Sequence, residues 1–368
     1  MSKRVVIAAG GTGGHLFPAQ SLACTLLGQM NKCDVLFVAK GLSSNARFNP
    51  ELYSHKDVAS GPINLKLKTL LLSPWSILKG IVQSVKVLRQ FKADVVIGFG
   101  SYHSFPVLCA ARLLNIPIVL HEANSVPGKV NRIFSPYAVW TGVFFPDSSK
   151  HLKGDIKKTD IPLRKQFSQA LRPSRQEALS FYGLKEGVMT VLVFGGSLGA
   201  KKLNELAAAG IILASAKTKL QVLHFTGSAD ATEKVKQCYE NAGIVAIVRE
   251  FEPQMQYAWA AADVCLSRSG ASTIAEAVAF TVPSILIPYP FAADKHQDKN
   301  AEYVATTIGG AEWYHESKLE ASLIAGAIER LVSQPQHAKM KEALHQASIN
   351  LKASHFSDLV IEFLESKV

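Results

Sequence analysis

The sequence predicts an α/β protein made of two Rossmann-like domains, each built on a parallel β-sheet. Near the N-terminus a short β-branched run, 4–8, leads into a glycine-rich turn, 9–15, and then into a helical pattern. The same order of strand, glycine turn and helix begins again at 188–201. The apolar runs are continuous rather than alternating, which is typical of parallel strands that are buried on both faces.

Composition limits the class of protein. The chain has 368 residues, of which 48% are hydrophobic and 19% are charged, and this is ordinary for a two-domain α/β enzyme. The net charge of +11 indicates an acidic partner or an anionic surface. The five cysteines form no C-x-x-C pair, so neither a zinc site nor a disulfide framework is expected, and a reducing cytosol fits best. No export signal and no apolar run of about 18 residues is found, which predicts a soluble or peripheral protein.

The first half of the chain carries three turns of the kind that bind ligands. Apolar runs predict strands at 4–8, 34–39, 94–98 and 116–120. Three of these lead into glycine-rich or polar turns, at 10–14, 98–103 and 121–124. Ligands of open α/β sheets gather at the carboxyl ends of the strands, so we expect these turns to meet at one sheet edge. A glycine turn without a ligand is the alternative for 10–14.

Residues 62–92 combine an apolar run with a strongly basic surround. Trp75, Leu78, Val82 and Val85 recur at helical spacing and predict a helix. Leu70, Leu71 and Leu72 precede them, and the basic residues are Lys66, Lys68, Lys79, Lys86, Arg89 and Lys92. One interpretation is a helix that packs its apolar stripe on the sheet. The other is a surface that contacts anionic lipid.

The second half repeats the α/β pattern. A polar crossing segment at 144–187 separates it from the first, and apolar runs predict further strands at 188–194, 220–227, 263–267 and 282–288. From about Leu319 the pattern predicts two or three amphipathic helices. We therefore predict a first domain over 1–162, a second over 163–345, and a C-terminal helix over 346–368 that is a candidate to pack back on the first domain.

Four motifs together resemble one family. They are GGTGGH at 10–15, HEAN at 121–124, GGS at 195–197 and RSGASTIAE at 268–276. In this order and spacing the chain resembles the MurG family, bacterial enzymes that add N-acetylglucosamine to lipid I in peptidoglycan synthesis, over essentially its whole length. The resemblance implies a GT-B glycosyltransferase fold, in which two Rossmann-like parallel-sheet domains face each other across a cleft.

The resemblance also implies the reaction and the partners. N-acetylglucosamine would move from UDP-GlcNAc to the C4 hydroxyl of the muramyl sugar in undecaprenyl-pyrophosphoryl-MurNAc-pentapeptide, with inversion and with neither metal nor cofactor. The sequence agrees, since it contains no Asp-x-Asp pair suited to Mg²⁺. Anionic inner-leaflet lipid would be a further partner at the cytoplasmic face of the cell membrane. Other cell-wall synthesis proteins are candidate partners, and no nucleic acid is expected.

The resemblance places the donor mainly in the second domain. Glu276 would accept hydrogen bonds from both ribose hydroxyls, Ser197 and Arg164 would contact the diphosphate or uridine, and Gln297 would hold the transferred sugar. Read from the residues alone, Glu276 is equally well explained as a helix-start acid that favours the helix dipole. The remaining implied donor contacts are Glu252 through its main chain, Arg268, Ala271, Ser272, Thr273, Ile274, Ala275, His296 and Asn300.

The resemblance places the acceptor on the first domain. The implied contacts are Thr12, Gly13, Gly14, Asn124 and Asn131, with Tyr102, His121 and Glu122 facing the same cleft. An inverting transfer needs one base near the attacking hydroxyl. His15 is the first candidate for this base and Glu122 the second. His15 can equally well be a hydrogen-bonding residue that only orients the acceptor.

The sequence departs from the family pattern at several positions. Asp160-Ile161-Pro162 stands where the family has Gly-Asn-Pro, and Gly100-Ser101-Tyr102 replaces Gly-Gly-Tyr. Three expected glutamines are replaced by Ala123, Leu198 and His296. These changes affect fine contacts to acceptor and sugar. They do not affect the predicted reaction class.

Rival functions share this architecture. A non-hydrolysing UDP-GlcNAc 2-epimerase would bind the same donor without a lipid, and the basic apolar segment at 62–92 argues against it. Other GT-B transferases with lipid acceptors remain alternatives. A nucleotide-sugar sensor that kept the fold is the non-enzymatic rival.

Overall fold

The computed structural model describes residues 2–61, 73–195, 200–352 and 355–366. They form two compact units, of which the first joins Met1–Lys165 to Leu351–Val368 and the second is Gln166–Asn350. The chain therefore leaves the first unit at Lys165 and returns to it at Leu351, whereas the sequence placed these boundaries after residues 162 and 345.

Strands and helices alternate along both units. The strands are β1 (Lys3–Ala8), β2 (Cys33–Ala39), β3 (His55–Asp57), β4 (Val95–Gly98), β5 (Ile118–Glu122), β6 (Trp140–Val143), β7 (Ile156–Lys158), β8 (Met189–Phe194), β9 (Leu220–Phe225), β10 (Val245–Arg249), β11 (Val264–Ser267), β12 (Ser284–Leu286) and β13 (Ala311–Trp313). The α-helices are α1 (Gly13–Gln29), α2 (Ser73–Phe91), α3 (Phe105–Leu113), α4 (Lys129–Phe134), α5 (Arg175–Tyr182), α6 (Lys201–Ser215), α7 (Ala229–Asn241), α8 (Met255–Ala261), α9 (Ala271–Phe280), α10 (His296–Tyr303), α11 (Ala321–Val332), α12 (Gln334–Lys352) and α13 (Phe356–Glu365).

The first unit contains a seven-stranded sheet in the order β3-β2-β1-β4-β5-β6-β7. All its neighbouring strands are parallel, and Val5 of β1 pairs with Val35 on one side and Val95 on the other. Because β1, β4 and β5 are adjacent, the turns that follow them meet at one sheet edge. The predicted cluster of three turns is thus confirmed.

The pleat of β1 divides its side chains between two hydrophobic cores. Val5 and Ile7 pack with apolar residues of α1 and α13, whereas Val6 and Ala8 pack with residues of α2, α3 and α4. All four side chains are fully buried. This explains why the strand is a continuous apolar run, as expected for a parallel sheet covered on both faces.

The second unit contains a six-stranded parallel sheet in the order β10-β9-β8-β11-β12-β13. Val191 and Val193 of β8 face a core that includes residues of α6 and α11. Leu192 faces the opposite core, which includes residues of α5, α8 and α9. The two-domain, parallel-sheet prediction is therefore confirmed in each unit.

Five strands were not predicted, and four of them are sheet edges. The edge strands are β3 and β7 in the first sheet and β10 and β13 in the second. Most of their residues are half-buried or exposed, so they carry no continuous apolar run to mark them. The interior strand β6 is buried, but it has only four residues, Trp-Thr-Gly-Val, and its glycine interrupts the apolar run.

Helix α2 exposes three of the four residues in the predicted apolar stripe, whereas the fourth, Val85, is half-buried against the core. Trp75, Leu78 and Val82 are 75%, 53% and 64% exposed, whereas Gly80 and Leu88 on the other side are buried. A Cβ at Gly80 would collide with the Ala59 carbonyl, so α2 packs closely through that side. The alternative of an inward-packed stripe is therefore wrong for these three residues. The run Leu70, Leu71 and Leu72, with Lys66 and Lys68, lies outside the described residues.

The last three helices are α11, α12 and α13, in agreement with the two or three predicted from Leu319. Phe356, Val360 and Leu364 of α13 are buried in the core of the first unit. Within the described ranges, none of the helices has the length and apolar character needed to cross a membrane.

Candidate active site

The glycine turn after β1 ends at the N-terminus of α1. Thr12 occupies the N-cap with extended geometry (φ −88°, ψ 163°), and within the described chain its side chain makes no capping hydrogen bond. The first turn of α1 contains no acidic residue. The main-chain N–H groups of a helix start that lack a side-chain acceptor favour an anion. Thr12 and Gly14 are exposed at this position, while Gly13 is buried against Phe17.

A main-chain carbonyl group orients the His15 ring. Its Nδ1 lies 2.7 Å from the carbonyl oxygen of Phe99, at the end of β4. A carbonyl oxygen only accepts, so Nδ1 carries the proton and donates it. In the neutral ring Nε2 is then the nitrogen with the lone pair. An imidazole oriented in this way can remove a proton from a hydroxyl group.

Gly100 lies beside both His15 and Asn131. It has a φ of +82°, and a Cβ built on it would lie 3.6 Å from His15 Cε1 and 3.4 Å from Asn131 Nδ2. Glycine adopts this left-handed conformation without the strain that a side chain would add. His15 lies at the start of α1 and Asn131 lies in α4, so both side chains are at the same edge of the sheet.

Glu122 holds the turn between β5 and α4. One carboxylate oxygen accepts a hydrogen bond from Asn124 N (2.9 Å), and the other accepts from Gly128 N and Asn131 Nδ2 (2.9 Å each). Glu122 is buried, and hydrogen bonds to a carboxylate are among the stronger ones in proteins. Both oxygens are thus engaged within the protein, and Glu122 fixes the start of α4 relative to β5.

His121 faces away from Glu122, contrary to the expectation that both side chains face one cleft. Adjacent residues of a strand point to opposite sides, and the His121 ring is buried against Phe99 and Phe356. Its Nε2 lies 3.0 Å from the carbonyl oxygen of Asp160. Burial lowers the pKa of His121, so the ring is neutral at pH 7. Its carbonyl oxygen accepts a hydrogen bond from Asn131 Nδ2 at 3.0 Å.

Two other predicted acceptor contacts are partly open to solvent. Tyr102 is exposed and its ring stacks on His103, with centroids 3.9 Å apart. Asn124 is half-buried beside Glu122. Asn131 is buried, and its Oδ1 accepts no hydrogen bond from the described residues. The structure therefore brings these side chains to the edge that carries His15.

His103 flanks the glycine turn; it belongs to the predicted turn 98–103 but was not among the predicted site residues. A Cβ at Gly11 would lie 3.0 Å from its ring, and its Nδ1 lies 2.7 Å from the Ser101 hydroxyl. Burial, followed by the charges of Lys40 and His15, lowers the pKa of His103 to about 4, so this ring is neutral at pH 7. Ser101, which stands where the family pattern has glycine, adopts a φ of 69° here.

In the second unit, α9 begins at Ala271 directly after Gly270. The Ser272 hydroxyl is buried and has no hydrogen-bond partner in the described part of the chain. Ala271, Ile274 and Ala275 are buried, so they can contact a ligand only through their main chain. Thr273 is half-buried. This helix start therefore combines main-chain donors with one unsatisfied hydroxyl, a suitable arrangement for a phosphate group.

Glu276 lies in the second turn of α9 and is fixed by a buried tryptophan. The indole Nε1 of Trp259 donates a hydrogen bond of 2.8 Å to its carboxylate. Trp259 packs in the core of the unit, so the carboxylate is held on a rigid support. A helix-start acid would lie in the first turn, where the dipole acts most strongly, and Glu276 is beyond it.

Arg268 is occupied within the protein. It forms an ion pair with Glu316, and its guanidinium also donates to the carbonyl oxygens of Ile287 and Pro288 at 3.3 Å and 3.2 Å. Its side chain is largely buried. These contacts assign Arg268 to holding the loop before α9 in place.

The start of α10 braces the same loop. Ser269 donates from its hydroxyl to the Gln297 carbonyl oxygen (2.8 Å), and the Asn300 amide donates to the Ser269 carbonyl oxygen (3.2 Å). The Gln297 side chain accepts from Tyr289 N at 2.9 Å. The ring of His296 bonds to the Ala293 carbonyl oxygen at 2.7 Å. Gln297 and His296 thus border the loop that carries the predicted diphosphate contacts.

Three further predicted residues have other surroundings or lie outside the described residues. Ser197 is outside the described residues. The Arg164 guanidinium, in the first unit, lies over the Phe17 ring at 5.8 Å from its centroid. Glu252 is buried, pairs with Arg249 at 2.6 Å and accepts from Gln254 N at 2.9 Å.

A metal site requires several ligand side chains in one place. Across the described ranges, no group of three or more His, Cys, Asp or Glu side chains is arranged to hold a metal ion.

Two family models match the chain. The glycosyltransferase family 28 N-terminal domain matches residues 5–142, and the family 28 C-terminal domain matches residues 190–359. A crystal structure of MurG from Acinetobacter baumannii superposes with a TM-score of 0.76 at 26% identity and covers 99% of both chains. A UDP-glucose:anthocyanidin 3-O-glucosyltransferase in complex with UDP has a TM-score of 0.72 at 16% identity, covers 100% of this chain and 99% of its own, and shares the fold.

Full-length relatives carry a more specific description. A protein of Protochlamydia amoebophila is 42% identical over 100% of this chain and 97% of its own length. A protein of Thermodesulfovibrio yellowstonii is 34% identical over 99% of this chain and 98% of its own length. Both are described as UDP-N-acetylglucosamine–N-acetylmuramyl-(pentapeptide) pyrophosphoryl-undecaprenol N-acetylglucosamine transferases. With an oriented histidine in one unit, a phosphate-type helix start in the other, and this similarity over its full length, the chain belongs to the MurG family within glycosyltransferase family 28.

Proposed function

We propose that the protein transfers N-acetylglucosamine from UDP-GlcNAc to the C4 hydroxyl of MurNAc in lipid I, undecaprenyl-pyrophosphoryl-MurNAc-pentapeptide, and so forms lipid II. The descriptions of its full-length relatives name this donor and this acceptor. The observation that carries the chemistry is the hydrogen bond from His15 Nδ1 to the Phe99 carbonyl oxygen.

His15 acts as the general base in this proposal. Its Nε2 takes the proton of the C4 hydroxyl while that oxygen attacks the anomeric carbon of the donor sugar. The bond from that carbon to the UDP oxygen breaks on the opposite face, so the anomeric configuration inverts. Asn131, held by Glu122 and the His121 carbonyl, lies beside His15 and would orient the acceptor sugar.

The second unit supplies the donor contacts in this proposal. Glu276, held by Trp259, would accept hydrogen bonds from the ribose hydroxyls. The N-terminus of α9 and the Ser272 hydroxyl would meet the negative charge that develops on the leaving UDP. We infer that helix dipole and hydroxyl groups carry this role without a metal ion, since no Asp-x-Asp pair is present in the sequence.

We further infer that the protein works at the cytoplasmic face of the cell membrane as a peripheral protein. Its acceptor would carry a prenyl chain that stays in the bilayer, so the enzyme must come to the membrane. The exposed side chains Trp75, Leu78 and Val82 of α2 would enter the headgroup region, and Lys79 and Lys86 of the same helix would meet anionic lipid.

The test is a transfer assay with the purified protein, UDP-GlcNAc and a lipid I analogue, followed by mass spectrometry. We expect the disaccharide product and free UDP in equal amounts, with and without a chelator. Omitting the acceptor is the control, because a 2-epimerase would convert UDP-GlcNAc without it. Conversion of the donor alone, or no disaccharide at saturating substrates, would overturn the proposal.

A further inference from the structure

The last helix of the chain packs directly behind the acceptor-side residues. Phe356, the first residue of α13, is completely buried in the first unit. Its ring lies 4.7 Å from that of His121, 5.2 Å from Trp140 and 5.8 Å from Phe99, measured between centroids. The contact is close, because a Cβ at Gly142 would lie 2.7 Å from the Phe356 ring.

Two of these neighbours carry the main-chain acceptors of the site. The Phe99 carbonyl oxygen receives the hydrogen bond from His15 Nδ1 at 2.7 Å. The His121 carbonyl oxygen receives the hydrogen bond from Asn131 Nδ2 at 3.0 Å. Phe356 therefore packs against both residues whose carbonyl oxygens anchor His15 and Asn131.

Asp160 ties the start of α13 to the same residues. Its carboxylate accepts a hydrogen bond from Phe356 N at 2.8 Å and pairs with His355 Nδ1 at 2.6 Å. Its carbonyl oxygen accepts from His121 Nε2 at 3.0 Å. Asp160 thus holds both α13, which carries Phe356, and the His121 ring, against which Phe356 packs.

We propose that Phe356 is a positioning residue for the transfer reaction, which holds His15 and Asn131 in place through Phe99 and His121, with Asp160 seating it. This inference rests on the proposed function. A small displacement of a reacting group is enough to lower a rate strongly, so support of two anchors by one buried ring matters for turnover. The donor residues on and around α9 belong to the second unit, so we expect a substitution at Phe356 to leave UDP-GlcNAc binding unchanged.

The test compares Phe356→Leu with Leu364→Ala. Leu keeps an apolar side chain at position 356 but removes the ring. Leu364 is equally buried in α13, two turns further along the helix, and makes no ring contact to the site. Phe356→Leu should lower kcat by about tenfold to a hundredfold with an unchanged KM for UDP-GlcNAc. Leu364→Ala should lower Tm and leave kcat near the wild-type value.

A second readout does not depend on turnover. In protein with ¹⁵N-labelled histidine, the ring nitrogens of wild-type His15 should report the Nδ1–H tautomer, and Phe356→Leu should shift it towards the Nε2–H form. Asp160→Asn, which keeps an acceptor for Phe356 N, should shift it less. If wild-type protein transfers no sugar but the tautomer responds as described, the proposed function fails and the positioning role stands. An unchanged tautomer and kcat in Phe356→Leu, or a kcat loss matched by Leu364→Ala, would overturn the positioning role.

Discussion

The orientation of a single imidazole separates the two candidate bases. His15 donates from Nδ1 to a carbonyl oxygen, which leaves Nε2 as the proton acceptor. Both oxygens of Glu122 accept hydrogen bonds from the turn that follows β5. A buried carboxylate engaged in this way is costly to release, because its partners would be left unsatisfied. At the residue scale, we therefore propose His15 as the base and Glu122 as the residue that holds the turn after β5.

The His15 assignment is testable with two substitutions. His15→Asn keeps a nitrogen that can donate to the Phe99 carbonyl oxygen but removes the base, and His15→Ala removes both. We expect each variant to lose about 10²–10⁴-fold in kcat, the usual value of a general base, with unchanged UDP affinity. Steady-state kinetics and calorimetry measure these two quantities. A His15→Asn variant with near wild-type kcat would show that His15 only orients the acceptor.

Glu276 requires a substitution that leaves the core intact. Glu276→Ala would remove the acceptor of the buried Trp259 indole, so it would weaken folding as well as binding. Glu276→Gln retains an oxygen for that indole but removes the charge. We expect Glu276→Gln to bind UDP more weakly by about 1–3 kcal/mol, with little change in Tm. Titration calorimetry tests this, and wild-type affinity in Glu276→Gln would remove Glu276 from the ribose site.

At the scale of elements, α2 has two apolar faces that differ in exposure. Gly80 and Leu88 pack towards the sheet, whereas Trp75, Leu78 and Val82 are exposed beside Lys79 and Lys86. Helical periodicity alone could not decide which face was buried, because apolar residues occur on both. The close approach allowed by Gly80 explains which side packs inward.

The exposed face of α2 predicts salt-sensitive binding to anionic vesicles. Each lysine near such a surface contributes about 1 kcal/mol, and charges are screened beyond about 8 Å at physiological ionic strength. A Trp75→Ser, Lys79→Glu double variant should therefore co-sediment much less than wild type. The matched control is Leu52→Ser with Lys32→Glu, an exposed apolar and basic pair elsewhere in the first unit. Equal binding by wild type and the α2 variant, or binding indifferent to salt, would contradict this role.

At the scale of the whole molecule, each unit encloses a buried histidine. His121 lies in the first unit and His224 in the second, and burial lowers the pKa of both. His224 bonds to the Tyr239 hydroxyl at 3.1 Å and to Asn204 Oδ1 at 3.3 Å. Burial lowers the pKa of His224 from 6.5 to about 3. At a pH between about 3 and 6.5, His224 binds a proton in the unfolded chain but not in the folded chain.

The second unit should therefore lose stability as the pH falls below about 6.5. From pH 7 to pH 5 the His224 contribution amounts to a loss of about 2 kcal/mol in the free energy of unfolding. This loss is measured by denaturant unfolding at pH 7 and pH 5. The proteins compared are wild type, His224→Gln and the exposed control His345→Gln. His224→Gln should show a smaller loss than the other two proteins. An equal loss in all three would contradict the assignment to His224.

Much of the architecture could be predicted because its signals are local. Glycine turns mark the positions where a helix must start close to a strand end, and continuous apolar runs mark strands buried on both faces. These patterns located the central strands and the edge at which His15, Glu122 and Asn124 lie. Together with the motif resemblance, they were enough for the fold class and the reaction class.

The remaining features depend on contacts between distant parts of the chain. Edge strands such as β3 and β7 exist because a neighbour offers a hydrogen-bonding edge, and their own residues are only half-buried. The separate roles of His121 and Glu122 depend on which partners surround each side of β5. His121 is supported by Phe356 and Asp160, which are 196 positions apart in the sequence. A local pattern carries no information about such pairs, so only the tertiary structure decided how the site is held together.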